Sequence, residues 1–108
     1  MEKNDLNLRS DEIQELDVLS GRVGKSNHHY GNKVFRHLIA TIKPTYQSIS
    51  TAAPKGFLSE SIVEKLLNMG GRFLIHTKRD IEPQWRIMSK AESRRKTRHA
   101  LQERQQVD

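Results

Sequence analysis

Apolar residues recur at helical spacing between residues 35 and 49. They predict a first helix that begins near Asn32 and buries one face. That stripe consists of Phe35, Leu38, Ile39, Ile42, Tyr46 and Ile49. Pro44 lies inside the pattern and donates no backbone N–H, so it should kink the helix or begin a second short one.

A second helical stripe follows residues 50–56, which contain proline and glycine and are typical of a connecting loop. Ser61 and Glu64 form a capping box that predicts where this helix begins, and Ser59 is an equally good cap. Gly70-Gly71 predicts its end, because glycine adopts the left-handed cap conformation. Its apolar face consists of Leu58, Ile62, Val63, Leu66 and Leu67.

Two alternating runs predict strands over residues 72–77 and 84–88, joined by a turn into a β-hairpin. We expect Trp85 to be a core anchor rather than an exposed stacking surface. Residues 13–19 are expected to be extended, and residues 1–12 form a flexible acidic leader.

A basic helix is predicted after the hairpin. Ser89 and Glu92 form a capping box, and the helix should run to about Gln105. Its only apolar surface is a narrow arc, so it should dock along an edge. That arc contains Ser93, Thr97, Ala100 and Leu101.

The order of these elements predicts one small α+β domain over residues 13–105, followed by a short tail at 106–108. It has two packed helices, a β-hairpin and a C-terminal basic helix. The expected core consists of Phe35, Leu38, Ile39, Ile42, Tyr46, Ile62, Val63, Leu66, Leu67, Phe73, Trp85, Ile87 and Leu101.

The charge of the chain favours a polyanionic partner. The 108 residues carry 19 lysines and arginines against 13 acidic residues, for a net charge of +6. Acidic side chains dominate residues 1–17, so the remainder is still more basic. This basic charge favours nucleic acid over a membrane surface as the partner. No apolar run approaches the roughly 20 residues needed to span a bilayer. The alternative is a solvated basic surface without a ligand.

Catalytic and metal chemistry find no support in the residue pattern. The chain lacks cysteine, and its histidines show no metal-ligand spacing. Residues 21–26 resemble a phosphate-binding loop, but Leu19 stands where that motif needs glycine, and no helix follows directly. We therefore expect no enzyme activity, no cofactor and no metal.

Three groups of basic residues are candidates for contacts with nucleic-acid phosphates. The final helix contributes one group, the neighbourhood of the glycine-rich loop a second, and the hairpin tip a third that would act like a wing. In that order they are Arg94, Arg95, Lys96 and Arg98; Arg22, Lys25, Lys33 and Arg36; Lys78 and Arg79. In the loop, backbone N–H groups near Gly31-Asn32 could also converge on an anion. The structural alternative is that Gly31-Asn32 caps the first helix, while Arg22 and Asn27 tie the loop to the hairpin.

Several ordered blocks resemble a domain family that is rich in copies in diatoms and related algae. Its pattern opens with Asp-Val-Leu-x-Gly-Arg-Gly, continues with His-Pro-Gly-Asn-x-x-Phe-Arg, and includes Gly-Gly-Arg-Phe-Leu. The matching positions, which extend over roughly residues 16–103, are Asp17-Val-Leu-Ser-Gly-Arg22, Asn27, Gly31-Asn32, Phe35-Arg36, Gly70-Gly-Arg-Phe-Leu74, Trp85 and Ala100-Leu-Gln-Glu103. Val23 and Tyr30 depart from it, where glycine and proline are usual. The family has no settled biochemical activity, so the resemblance implies a shared fold and surface and no function.

The sequence thus predicts a nucleic-acid-binding module, for duplex DNA rather than RNA, in a nuclear regulatory protein. The alternative is a protein-interaction module that docks an acidic partner on the glycine-rich loop. A small-ligand or nucleotide-sensing domain would instead have a concave pocket around residues 21–32.

Overall fold

Helices pack on one face of a small mixed sheet. The structure, a computed structural model, describes residues 6–21 and 28–103. Within these ranges there are four strands and three α-helices, with a short 3-10 turn at Ser10–Glu12. The strands are β1 (Asn7–Leu8), β2 (Val18–Ser20), β3 (Phe73–His76) and β4 (Trp85–Ile87), and the helices are α1 (Tyr30–Ser48), α2 (Ala52–Asn68) and α3 (Lys90–Gln102). The predicted α+β class is confirmed, including the C-terminal helix.

The strands lie in the order β1-β4-β3-β2. Strands β3 and β4 pair antiparallel, which confirms the predicted hairpin, whereas β2 pairs with β3 in parallel, with Val18 opposite Phe73. Strand β1 pairs antiparallel with β4 and brings Leu8 opposite Trp85. Residues 7–12, which the pattern places in the leader, thus form β1 and the 3-10 turn. A strand of two residues is too short for any periodic signal.

Hydrophobic residues form two clusters, one on each face of the sheet. The helices cover the face that carries Val18 and Phe73. That larger cluster consists of Val18, Phe35, Ile39, Tyr46, Ile62, Val63, Leu66, Phe73 and Leu101. The opposite face buries Leu8, Leu19, Leu74 and Trp85. Trp85 is 3% exposed, which confirms the prediction that it is a core anchor.

Helix α1 begins at Tyr30, two residues earlier than predicted, and continues through Pro44 to Ser48. Its buried side chains include Phe35, Ile39 and Tyr46, whereas the remaining members of the predicted stripe are only partly buried.

The prediction of a loop over residues 50–56 is wrong, because α2 already begins at Ala52, after Thr51 at the N-cap position. Pro54 lies in its first turn, where a missing N–H costs no intrahelical hydrogen bond. Ser59 and Ser61 do not cap the helix, since their hydroxyls donate to the carbonyls of residues 56 and 58. The glycine pair ends α2 as predicted, with Gly70 at a φ of +95°.

The capping box of α3 is confirmed. Glu92 N donates to Ser89 Oγ (3.1 Å), and Ser89 N donates to Glu92 Oε1 (2.9 Å). The Glu92 carboxylate also accepts two hydrogen bonds from the Arg86 guanidinium, at 3.0 and 2.9 Å. These bonds, above all those from Arg86, lower the pKa of Glu92 to about 2. The helix ends at Gln102, three residues before the predicted end.

One buried ion pair joins the beginnings of β2 and β3. The Asp17 side chain is fully buried and accepts hydrogen bonds from Arg72 Nε (3.1 Å) and Arg72 Nη2 (2.8 Å). Backbone N–H groups of Gln14 (2.7 Å) and Arg72 (3.1 Å) also donate to it. These bonds to Asp17 raise the pKa of the Arg72 guanidinium. The carboxylate thus holds both strand starts in register, and Val18 N donates to Arg72 O at 2.8 Å.

Replacing Asp17 by asparagine should lower the free energy of unfolding by about 3 kcal/mol, since it leaves the Arg72 guanidinium without its counter-ion. Urea-induced unfolding measures the loss. Asp11→Asn is the matched control, because its ion pair with Arg9 is exposed on both sides and should contribute less than about 1 kcal/mol. Equal losses for the two variants would contradict the structural role of Asp17.

The hydrogen-bonded carboxylate of Glu92 predicts that the stability of the domain falls in acid. Its pKa in the folded state lies below the usual value of 4.5, so folding favours the carboxylate and gains stability above that value. The gain is lost as the pH falls from 4.5 towards about 2. Glu92→Gln should therefore lower stability at pH 7 by about 1 kcal/mol, after allowance for solvent screening. The two unfolding free energies, measured against pH, should converge at low pH, and a constant difference would refute this assignment.

Candidate nucleic-acid interface

Helices α2 and α3 lie antiparallel and are joined by two ion pairs. Glu64 Oε1 lies 2.6 Å from Lys90 Nζ, and one turn further along, Glu60 Oε1 lies 3.9 Å from Arg94 Nη1. One turn further again, the same spacing places Gly56 of α2 opposite Arg98 of α3. Glycine has no side chain, so no third ion pair forms at this position.

A groove of about 570 Å³ runs between these helices. From α3 it is lined by Arg94, Arg95 and Arg98, which are all exposed. Glu60 of α2 is the one carboxylate among the described residues that line it. In the described part of the chain no ion pair involves Arg95 or Arg98. Three of the four predicted α3 residues therefore share one strongly positive surface, which we call the arginine face (Arg94, Arg95 and Arg98).

Lys96, the fourth predicted residue, lies on another side of α3. Its Nζ sits 5.4 Å from the centroid of the Phe35 ring, and burial lowers its pKa. It lines a second groove, of about 520 Å³, together with Ser20 and His99. Arg95 borders both grooves, so it connects the two surfaces.

The group predicted beside the glycine-rich loop is only partly described. Arg22 and Lys25 lie outside the described residues. Lys33 and Arg36 are exposed on α1, and Arg36 lines a groove between α1 and α3 together with Lys43. Neither of the two lines the groove that holds the arginine face.

Gly31 and Asn32 serve the fold. They lie inside α1 rather than at its cap, which is His29. An ideal Cβ on Gly31 would lie 2.1 Å from the Asp17 carbonyl oxygen, so only glycine fits there. The Asn32 amide accepts from Leu19 N (2.8 Å) and donates to Leu19 O (2.9 Å), which bonds α1 to the β2 edge. The prediction that Gly31-Asn32 caps the helix is therefore wrong, because these residues lie inside α1 and tie it to β2. The other half of that alternative, on Arg22 and Asn27, lies outside the described residues.

The hairpin tip carries the remaining predicted pair. Lys78 adopts a φ of +66°, and its N–H donates to His76 Nδ1 at 2.9 Å. The Arg79 carbonyl accepts from Gln84 Nε2 at 2.9 Å. Both cationic side chains are exposed on this turn and neither lines the α2–α3 groove.

Phe57 is the residue of this groove that sequence reasoning missed. It is an aromatic side chain on α2 and is 72% exposed. At about 100° per residue it lies on the opposite side of the helix from Leu66, which is fully buried. Its position off the apolar stripe was the available signal, but the predicted caps at Ser59 and Ser61 placed Phe57 before the start of the helix.

Metal and membrane sites gain no support from the described ranges. Residues 6–21 and 28–103 contain no group of three metal-ligating side chains. In the same ranges no helix has both the length and the apolar character of a bilayer span.

Comparison with known proteins gives one match, to a family model. No curated protein matches the chain, and no solved structure matches it. The family model described as a domain of unknown function, DUF6824, matches residues 17–103. Because that match extends from the buried Asp17 to the end of α3, the chain belongs to the DUF6824 domain family.

Proposed function

We propose that this domain binds nucleic acid through the arginine face. The observation that carries the proposal is the gathering of three exposed arginines along one groove that contains a single carboxylate. Duplex DNA is the ligand that the basic charge and the exposed helix favour, and a nuclear regulatory protein is the corresponding setting.

Arginine suits this role because its planar guanidinium pairs with phosphate oxygens through two parallel hydrogen bonds. Arg94 and Arg98 lie one helical turn apart, about 6 Å along the axis, so both can follow one phosphate backbone. The exposed pairs Lys33 with Arg36 and Lys78 with Arg79 would extend such a footprint beyond α3.

The double variant Arg95→Ala/Arg98→Ala should weaken duplex binding roughly tenfold and make the slope of log K against log salt less steep by about 2 units, since each lost phosphate contact removes about one. Fluorescence anisotropy with a random duplex at several salt concentrations measures both quantities. Neither arginine has an ion pair in the described part, so the unfolding free energy should change by less than about 0.5 kcal/mol.

Lys65→Ala is the control for loss of a positive charge elsewhere, because Lys65 is an exposed cation in the last turn of α2 and does not line the groove. It should leave affinity and slope nearly unchanged. Unchanged duplex binding by the double variant would refute the proposal. Tight binding of an acidic peptide with a shallow salt slope would favour the protein-interaction alternative.

A further inference from the structure

We infer that the α2–α3 groove holds an unpaired base of a single-stranded nucleic acid, stacked on Phe57, with flanking phosphates on the arginine face. This inference rests on the proposed function and adds single strands to duplex DNA as ligands of the same arginine face. It gives a role to an exposed aromatic ring that the packing of the domain does not use.

The exposure of Phe57 is not explained by the fold. The buried side of α2 carries Ile62, Val63 and Leu66, and Phe57 projects away from it. A singly exposed apolar side chain is common on protein surfaces, so exposure alone assigns Phe57 no role. Its position in one groove with three arginines makes it a candidate contact site.

Small residues surround the ring of Phe57 in the groove. Ala53 and Gly56, its neighbours on the same side of α2, and Ala91 on α3 are the small residues of the groove. A Cβ added to Gly56 would meet nothing within 4 Å, so packing does not require glycine there. Glycine also weakens a helix interior relative to alanine. The result is an uncovered ring face beside open space.

The charge around the ring fits phosphate. Arg94, Arg95 and Arg98 face the single carboxylate Glu60, and the absence of a side chain at Gly56 leaves Arg98 without the partner that Lys90 and Arg94 have. An aromatic platform flanked by cations is the arrangement by which proteins hold single strands, since every base offers a flat face for stacking.

Neither a peptide helix nor a duplex would use the ring of Phe57. A docked peptide helix needs several apolar anchors at helical spacing. Within residues 6–21 and 28–103, Phe57 is the one large apolar side chain that lines the groove. A duplex keeps its bases stacked on one another and offers the ring no free face. Phe57 should therefore affect single strands and leave duplex binding to the arginines.

The test is fluorescence anisotropy of the full chain with a labelled oligo(dT) of about 12 nucleotides and a random duplex. Phe57→Ala should weaken oligo(dT) binding by about 5- to 150-fold, the range for one stacked base, and change duplex binding by less than about twofold. Phe57→Trp should retain the affinity, because tryptophan also stacks. Phe57→Leu should lose it, because leucine keeps the apolar bulk without the ring.

Gly56→Glu tests the same groove by adding a side chain instead of removing one. It replaces a poor helix former and puts a carboxylate opposite Arg98, so thermal unfolding should be unchanged or shifted upwards. Oligo(dT) binding should nevertheless fall at least about tenfold, through repulsion of phosphate and obstruction of the ring. A loss of affinity in a chain that is no less stable cannot be attributed to unfolding.

The outcomes separate the two proposals. If Phe57→Ala binds oligo(dT) like the unmodified chain while Arg95→Ala/Arg98→Ala loses affinity for both ligands, the stacking inference falls and nucleic-acid binding stands. Full affinity in Phe57→Leu would likewise overturn stacking. If the unmodified chain binds neither ligand at low salt, both proposals fall.

Discussion

The fold depends on satisfying the buried carboxylate of Asp17. A buried charge without partners would be strongly destabilising, and here one guanidinium and two backbone N–H groups surround it. Three of its four donors belong to Arg72, which immediately precedes β3, so the interaction joins segments 55 residues apart in the chain. It sets the parallel register of β2 and β3, and with it the placement of Val18 and Phe73 on the face that the helices cover.

The same contacts explain why the recognisable blocks of the sequence say little about a ligand. Gly31 and Gly71 both approach the backbone of residues 16–17 more closely than a Cβ would allow, and Asn32 bonds to the β2 edge. At the carboxyl end, Gln47 donates to the carbonyls of residues 101 and 103 and holds the end of α3 against α1. Family membership therefore specifies this scaffold. The ligand has to be inferred from surface positions such as Phe57, which lies outside those blocks.

Sequence reasoning succeeded where the signal is local. The α1 stripe, the antiparallel hairpin and the Ser89–Glu92 capping box depend on residues close together in the chain, and all three were predicted. The pairing of β1 with β4 and of β2 with β3 was not predicted. Strands β1 and β2 are too short to show an alternation of apolar and polar residues, and their partner strands lie far along the chain. The start of α2 was missed because Pro54 and Gly56 are typical loop residues, although a first turn tolerates the proline. That error concealed Phe57, so the arginine face was predicted without the aromatic ring beside it.

Charged side chains in this domain have two different relations to stability. Asp17 with Arg72 and Glu92 with Arg86 are hydrogen-bonded pairs that hold elements together. Arg98, by contrast, has no ion pair in the described part of the chain and repels Arg94 one turn away on α3, which weakens an isolated helix. The helix is nevertheless stable in the domain because Leu101 is buried in the larger hydrophobic cluster. An anionic ligand on the arginine face would relieve the repulsion, and a ligand that binds only the folded state stabilises it by mass action. We therefore expect a ligand on this surface to raise the free energy of unfolding of the domain. The Asp17–Arg72 pair, in contrast, should stabilise the domain whether or not a ligand is bound.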